Sequence, residues 1–306
     1  MKRLLGLVAL CVAAACGGGD DDGGGADAGE ELENPGFATP DVVTTAYMKD
    51  GTSWTEVGPA NWDCLGTASD DEASTVEITV SGVVRDFQED EDTVASAMVA
   101  VYEGSDIDGT PVDEVTSEAN GSYAVTLPVG TERVAFKISA DGFLDTYLMN
   151  QYYVPDQAEQ EEFLEPISDS LANALTAFTG RSEPRTLGLG VLAGAIRDCD
   201  NNEVAGAIAT VSDSSGTVDH VTGAETYYFS AEAQSLPVRL TLEDTTNDDG
   251  LFMVMELPPD DASFLQVWGF VDGQDPAADE MTLLAELPMP VIGDSVVTAS
   301  MEPLRE

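Results

Sequence analysis

The sequence predicts an all-β protein, with two tandem β-sandwich domains and one short linking helix. From Val76 onwards, short segments with apolar residues at every second position alternate with clusters of Gly, Asn, Asp and Pro, which is the pattern of strands joined by turns. Three of these blocks occur twice in the same order, which indicates a duplicated domain. The predicted segments are a signal peptide (1–15), a flexible tether that starts at Cys16 (16–35), a transition segment (36–75), the first sandwich (76–155), a linker with the short helix (156–186) and the second sandwich (187–306).

The first 15 residues predict a secretory signal peptide. Lys2 and Arg3 precede a 12-residue apolar run, Leu4 to Ala15, which is too short to span a bilayer. Small residues end this run, and Cys16 follows it directly. This order resembles the signal of bacterial lipoproteins, which implies that Cys16 is lipidated and becomes the N-terminus of the mature chain.

The segment after the cysteine, up to residue 35, predicts a flexible tether. It is rich in Gly and Asp, so it has too little apolar surface to offset the entropy of ordering its backbone. A cysteine at the head of a tether has no packing role, which favours lipidation over ordinary secretion with Cys16 as a spare thiol. Gly17 follows the cysteine. In the lipoprotein sorting rule that this resembles, such a residue favours the outer membrane or cell surface.

The charge of the chain excludes several partners. The sequence has 58 acidic and 11 basic residues, and its formal net charge is −47. Nucleic-acid binding requires clustered Lys and Arg, and an anionic lipid surface repels such a chain. Because 43% of the residues are hydrophobic, the chain can bury a core, and the acidity predicts a heavily solvated surface.

Residues 36–75 form a transition segment of irregular structure or short strands, and they contain Cys64. Once the signal and Cys16 are set aside, Cys64 and Cys199 remain, and two cysteines in an exported protein predict one disulfide. The bridge would close a loop of about 135 residues, which contributes about 4–5 kcal/mol in the chain-entropy model. The alternative is a pair of buried thiols.

The first copy contains a run of strands at sandwich-like spacing. The Asn120-Gly121 dipeptide is a strong tight-turn signal. The strand segments are 76–86, 97–102, 112–115, 122–128, 134–138 and 143–153.

The second copy repeats three blocks of the first. Residues 193–198 match 81–86, residues 205–211 match 95–101, and residues 247–258 match 118–128. The second copy is longer by one hairpin, for which the predicted strands are 226–231 and 238–242.

Two motifs in each copy resemble those of a known domain family. The first is a turn of the type G-x-V-x-D, at 82–86 and 194–198. The second is a block of the type T-x-x-x-G-x-Y/F-x-x-x-L-P. Its residues are Thr116, Gly121, Tyr123, Leu127 and Pro128 in the first copy, and Thr246, Gly250, Phe252, Leu257 and Pro258 in the second. These blocks resemble the carboxypeptidase regulatory-like domain, a transthyretin-like β-sandwich, over residues 76–150 and 188–303. In that family the domain is an accessory without catalysis, or a spacer or binding module in exported proteins.

One helix is predicted between the copies. Ser168 can cap it, and Gly180 ends it. Apolar residues recur at helical spacing, which predicts a stripe that packs against a sheet or at the domain junction. The stripe residues are Leu171, Ala174, Leu175 and Phe178.

The sequence predicts no catalytic residue. His220 is the only histidine, and it lies in a strand-like stretch, 218–221. Catalytic zinc sites usually take two or three histidines, and a Ser-His-Asp triad needs a nucleophile elbow that this stretch lacks.

A calcium site is the alternative use of the acidic loops. Oxygen-rich loops suit Ca²⁺, although solvated acidic loops are the default interpretation. The candidate ligands are Asp86, Asp90 and Asp92 in the first copy, and Asp198 and Asp200 in the matching loop of the second. No other cofactor is predicted.

The sequence therefore predicts a non-enzymatic, lipid-anchored envelope protein that acts as a binding or structural module for a protein or glycan partner. Two alternatives remain: a calcium-dependent adhesin, and a carboxylate-based hydrolase with its site in an inter-domain cleft. Five aromatic residues are candidate contacts, with a core position as the other interpretation. They are Tyr152, Tyr153, Tyr227, Tyr228 and Trp268.

Overall fold

The helix and the strands of the first copy follow the predicted segments closely, whereas the strands after residue 258 were not predicted individually. The computed structural model describes residues 37–306 except 52, 88–91, 182–183, 231–235 and 239–241, so the predicted signal peptide and tether lie outside the described residues. The described elements are β1 (Thr45–Asp50), β2 (Ser53–Pro59), β3 (Ile78–Val83), β4 (Met98–Glu103), β5 (Asp113–Thr116), β6 (Ser122–Leu127), β7 (Arg133–Ser139), β8 (Asp145–Tyr152), β9 (Glu159–Glu161), α1 (Asp169–Phe178), β10 (Gly190–Ile196), β11 (Glu203–Ala205), β12 (Ile208–Ser212), β13 (Glu225–Ser230), β14 (Leu236–Pro237), β15 (Leu251–Leu257), β16 (Asp260–Gly269), β17 (Thr282–Val291) and β18 (Ser295–Met301). The prediction of an all-β sandwich fold with one short helix is confirmed.

The extra hairpin of the second copy is described in part. Its first strand is β13, which pairs antiparallel with β14. The second predicted strand, 238–242, falls mostly on residues 239–241, which lie outside the described residues.

The helix begins and ends where the sequence predicts. The Ser168 side chain accepts a hydrogen bond from the Leu171 N–H, and Gly180 has a φ of 77°, the left-handed conformation that ends many helices. The predicted stripe is partly wrong, however. The buried positions are Leu171, Ala172, Leu175 and Thr176, and Phe178 is 45% exposed. The helix lies flat on a sheet, so two neighbouring rows of side chains are buried rather than one.

One nine-stranded sheet runs through both copies. Its order is β14-β13-β15-β10-β18-β8-β7-β4-β5. The last strand of the chain, β18, pairs in parallel with β10 on one side and with β8 on the other. A single sheet therefore crosses the predicted boundary between the two sandwiches, and the domain boundaries stay a prediction.

Both faces of this sheet are covered. On one face the sheet β12-β16-β17 encloses a large apolar core, in which Val297 and Met301 of β18 lie beside Tyr147 and Met149 of β8. The opposite face is covered in two parts. The sheet β6-β3-β9 packs over the first-copy strands, and α1 packs over β13, β15 and β18.

The sequence repeat corresponds to repeated hydrogen bonds. The Val84 N–H donates to the Gly121 carbonyl at 2.8 Å, and the Ile196 N–H donates to the Gly250 carbonyl at 3.0 Å. In the same way, the Arg85 and Arg197 amides donate to the Leu164 and Met301 carbonyls. The region of β9 in the first copy thus takes the place of β18 in the second.

One predicted equivalence is shifted by a residue. The counterpart of Thr246 is Ser117, not Thr116. The Ser117 and Thr246 hydroxyls each accept the amide hydrogen of an alanine, Ala97 at 2.9 Å and Ala207 at 3.1 Å. Thr116 instead ends β5 and is exposed, so the motif spacing differs by one residue between the copies.

The repeated glycine of the opening strand is needed for close backbone approach. A Cβ at Gly194 would lie 2.5 Å from the Ala299 carbonyl oxygen of β18, and a Cβ at Gly82 would overlap the Glu162 carbonyl oxygen. Neither backbone can move without loss of the parallel pairing beside it. Glycine at these positions lets the final strand of each copy pair with the opening strand.

We expect Gly82→Ala to lower the free energy of unfolding by about 1–3 kcal/mol, because the added methyl group meets backbone rather than a mobile side chain. Chemical denaturation would measure the change. The matched control is Ser81→Ala on the same strand, for which we expect a change within about 0.5 kcal/mol. Equal stability of the two variants would contradict the close-approach interpretation.

Candidate functional site

The predicted disulfide is present and holds the N-terminal segment against the second copy. Cys64 and Cys199 are bonded, with their Cα atoms 5.9 Å apart. Backbone contacts reinforce the bond, because the Cys199 N–H donates to the Asn61 carbonyl at 2.9 Å. The Trp62 indole N–H also donates to the Thr44 hydroxyl at 2.9 Å. The segment before the first sandwich is therefore fixed to the loop that follows β10.

Asp198 organises the same loop from inside. Its side chain is 3% exposed, and its carboxylate accepts the N–H groups of Asn61, Asp200 and Asn202 at 3.1, 3.0 and 2.9 Å. Asp200 accepts the side-chain amide of Asn61 at 3.0 Å. These two predicted calcium ligands thus contribute to the attachment of the N-terminal segment.

The acidic loop of the first copy borders a cavity of about 870 Å³. Asp86 and Asp92 line it together with Asp141 and Asp145, and Asp90 lies outside the described residues. Lys137 partly neutralises this wall, because its Nζ lies 3.2 Å from an Asp145 carboxylate oxygen. In the part of the chain that the structure describes, no group of three or more His, Cys, Asp or Glu is arranged to hold a metal. Calcium binding at the predicted ligands stays a prediction.

The structure places His220 in a loop and not in a strand-like stretch as predicted. From this loop, its side chain reaches the edge of β12. The ring is 6% exposed. Nδ1 accepts the Val211 N–H at 2.9 Å, and Nε2 lies 2.9 Å from the Thr226 hydroxyl, which itself donates to the Ala209 carbonyl at 3.0 Å. Nδ1 also lies 3.3 Å from the Val211 carbonyl oxygen, so both polar groups of the Val211 backbone face this ring nitrogen.

Burial lowers the pKa of His220, against the opposing effects of the Val211 backbone and the Asp219 charge. Both ring nitrogens are already engaged within the core. The geometry therefore gives this histidine a structural role.

The five aromatic candidates divide by burial. Tyr227, Tyr228 and Trp268 are buried, so the core interpretation holds for them. Tyr152 lies under the Arg133 guanidinium, which is 5.5 Å from the ring centroid. The Tyr153 hydroxyl donates to Glu162 at 3.3 Å.

The hairpin of β1 and β2, within the predicted transition segment, exposes two apolar side chains. Met48 is 53% exposed and Val57 is 58% exposed. Val57 is the extra residue of a β-bulge, since Ala46 pairs with Gly58 and Tyr47 pairs with Glu56. The Asp50-Gly51 dipeptide between two short apolar runs was a signal from which this hairpin could have been predicted.

The other face of the hairpin is aromatic and lies in a negative field. The Lys49 Nζ lies 5.2 Å from the centroid of the Trp54 ring. Burial, followed by the charges of Glu56 and Asp248, raises the pKa of Tyr47. The hairpin thus combines exposed apolar side chains with an acidic environment.

Comparison with known proteins assigns no family. No protein-family model matches the chain, and no curated protein matches it. Within the described residues, no helix is long and apolar enough to cross a membrane.

Three solved structures illustrate the level of structural similarity. The Bacillus anthracis TIE protein matches 83% of this chain and 38% of its own, below two thirds of its length, at 11% identity and a TM-score of 0.26. The 3-chlorocatechol 1,2-dioxygenase of Rhodococcus opacus 1CP matches 40% of this chain and 72% of its own, at 11% identity and 0.23. The shaft pilin spaA of Lactobacillus rhamnosus GG matches 74% of this chain and 98% of its own, at 13% identity and 0.22. At these TM-scores, the similarities assign neither a fold nor an activity to the chain.

We expect loss of the disulfide to lower the free energy of unfolding by about 2–5 kcal/mol, since the bond closes a loop across a sequence separation of 135 residues. A double variant, Cys64→Ser with Cys199→Ser, would be compared with the oxidised protein by chemical denaturation. A reducing agent should destabilise the wild-type protein equally and leave the variant unchanged. A variant as stable as the oxidised protein would refute the stabilising role.

We expect His220 to make stability fall with decreasing pH. The unfolded chain binds a proton near pH 6.5, whereas the folded ring binds it only at lower pH. Its contribution is therefore complete above pH 6.5 and is lost as the pH falls towards the folded pKa, with a slope of at most about 1.4 kcal/mol per pH unit. Unfolding of the wild type and His220→Asn would be compared between pH 5.5 and 7.5. Parallel pH profiles would contradict the prediction.

Proposed function

We propose that the chain is a non-enzymatic, lipid-anchored protein of the bacterial cell envelope. Its two carboxypeptidase regulatory-like sandwiches act as a binding module for a protein or glycan partner at the outer membrane or cell surface. The observation that supports a binding role is the hairpin of β1 and β2, where Met48 and Val57 expose apolar side chains. The arrangement of polar residues in the described part of the chain favours neither the hydrolase nor the calcium-dependent adhesin over this proposal.

The role of the hairpin fits its position. The disulfide and the Asp198 carboxylate hold the segment that follows β2, so the hairpin projects from a fixed base. A rigid base reduces the entropy that is lost when a surface engages a partner. An anchor at Cys16 would place this surface near the start of the mature chain, beyond the predicted tether.

We expect lipid labelling to identify the anchor. Cells that express the full chain would be grown with a radiolabelled fatty acid, and the label in the protein would be measured. Cys16→Ala should lose the label and leave the membrane fraction, whereas the control Cys11→Ala should keep both, because Cys11 lies in the predicted signal peptide. Membrane association of an unlabelled Cys16→Ala protein would overturn the lipid anchor.

We expect the hairpin to contact a partner in cells. A photo-crosslinking amino acid would replace Met48 in the full chain, and a second variant would carry it at Leu187, which is 78% exposed. Discrete adducts at position 48 but not at 187 would support the binding role, because exposure alone favours Leu187. Absence of adducts at 48, or the same adducts at both positions, would contradict it.

Proteinase K treatment of intact cells would show which side of the envelope carries the module. Proteinase K is preferred to trypsin because the chain has few Lys and Arg residues at which trypsin could cut.

A further inference from the structure

The sheet edges of this protein are protected in different ways, and the protection of β12 is the most elaborate. The edge groups of Ala209 and Val211 bond to side chains and to the Val221 N–H rather than to another strand. The Tyr228 hydroxyl accepts the Ala209 N–H at 3.2 Å, and His220 accepts the Val211 N–H. In the first copy the equivalent edge of β4 is covered by β5. Exposed edge strands invite pairing with other chains, and natural proteins guard them for this reason.

Other edges carry simpler guards. Strand β17 contains Pro288 and Pro290, and proline lacks the amide donor that a new strand would need. On β6, the Thr126 N–H is already bonded to the Asp113 carboxylate at 2.8 Å. The three-residue β9 carries Glu159 and Glu161, and the short β11 is largely buried.

Strand β2 lacks comparable protection. All its residues are described, and five of the seven are exposed. Among the described residues, no hydrogen bond from another segment reaches Ser53–Glu56 apart from the pairing with β1. The bulge at Val57 and the proline at Pro59 lie at one end, so the stretch before them remains open. The edge strand β5 has only four residues and carries Asp113 and Glu114, and the edge strand β14 lies beside residues outside the described part.

The charge of the molecule selects the occupant of this edge. A second copy of the chain would bring another formal charge of −47 against the first. The described basic residues are largely used within the fold. Those in ion pairs of 3.2 Å or less are Arg85, Arg133, Lys137, Arg181, Arg185 and Arg197. The excess acidic charge therefore attracts cationic partners and repels other copies of the chain.

We propose that β2 accepts an additional strand, supplied by an extended cationic segment of a partner protein. In strand addition, main-chain hydrogen bonds provide affinity and the side chains on either face provide selectivity. Met48 and Val57 offer apolar contacts, and Glu56 offers a carboxylate to a basic side chain. The inference rests on the proposed binding function and specifies the surface and the chemistry of the partner.

The test uses synthetic peptides and the mature, lipidated chain in detergent. The probe is an alternating Lys-Val heptapeptide. Two matched probes are the same peptide with N-methyl groups on alternate amides, and a Glu-Val heptapeptide. We expect the N-methylated probe to bind at least tenfold more weakly and the Glu-Val probe not to bind. Hydrogen-exchange mass spectrometry should show amide protection by the Lys-Val peptide confined to residues 53–59.

A protein variant provides an independent test. Trp54 and Lys49 form a non-hydrogen-bonded pair, so the Trp54 N–H faces the open edge, whereas the Thr55 N–H is used in the pairing with Met48. Trp54→Pro therefore removes one amide from the open edge without a change of charge, and we expect at least tenfold weaker binding of the Lys-Val peptide. If this variant fails to fold, the N-methylated probe still decides the question. Equal affinities for the methylated and unmethylated peptides, protection at another site, or no binding would overturn strand addition. Crosslinked adducts at position 48 would then leave the broader binding function standing, whereas their absence would remove it.

Discussion

The parallel pairing of β18 with both β10 and β8 is the constraint on which the rest of the structure depends. This one strand joins the sheets of the two copies, although it is the last strand of the chain. Parallel strands are usually covered on both faces, and here the large core and α1 cover them. The two repeats are therefore parts of one continuous structure.

Much of the local structure was predictable from sequence, because it depends on patterns within about ten residues. The alternation in 122–128 gave β6, and the Ser168 cap and Gly180 bounded α1 correctly. The joined sheet was not predictable, since pairing of β8 with β18 depends on residues about 150 positions apart. The shift from Thr116 to Ser117 was missed for a related reason: two hydroxyl residues are adjacent, and only the hydrogen bond to Ala97 distinguishes them.

In the candidate sites, too, the sequence shows which residue types are present but not which distant segments surround them. The sequence offered Asp198 as a calcium ligand, which stays a prediction, and it gave no sign that this carboxylate accepts backbone N–H groups, one of them from Asn61, 137 residues away. The ring of His220 bonds to β12, yet nothing in residues 218–221 indicates that it faces this strand. Composition gives the chemical type of a side chain. The bonds that side chain makes depend on segments brought together by the fold.

The different closure of β4 and β12 also bears on how a duplicated chain assembles. Equivalent strands from two similar copies can exchange during folding, and misassembly between repeats is a common failure of such proteins. Here β4 requires the backbone of β5, whereas β12 requires the side chains of His220, Thr226 and Tyr228. A strand placed in the wrong copy would leave buried amides without acceptors. Each of these strands therefore fits only its own copy. This difference disfavours the exchange of equivalent strands between the two copies of one chain.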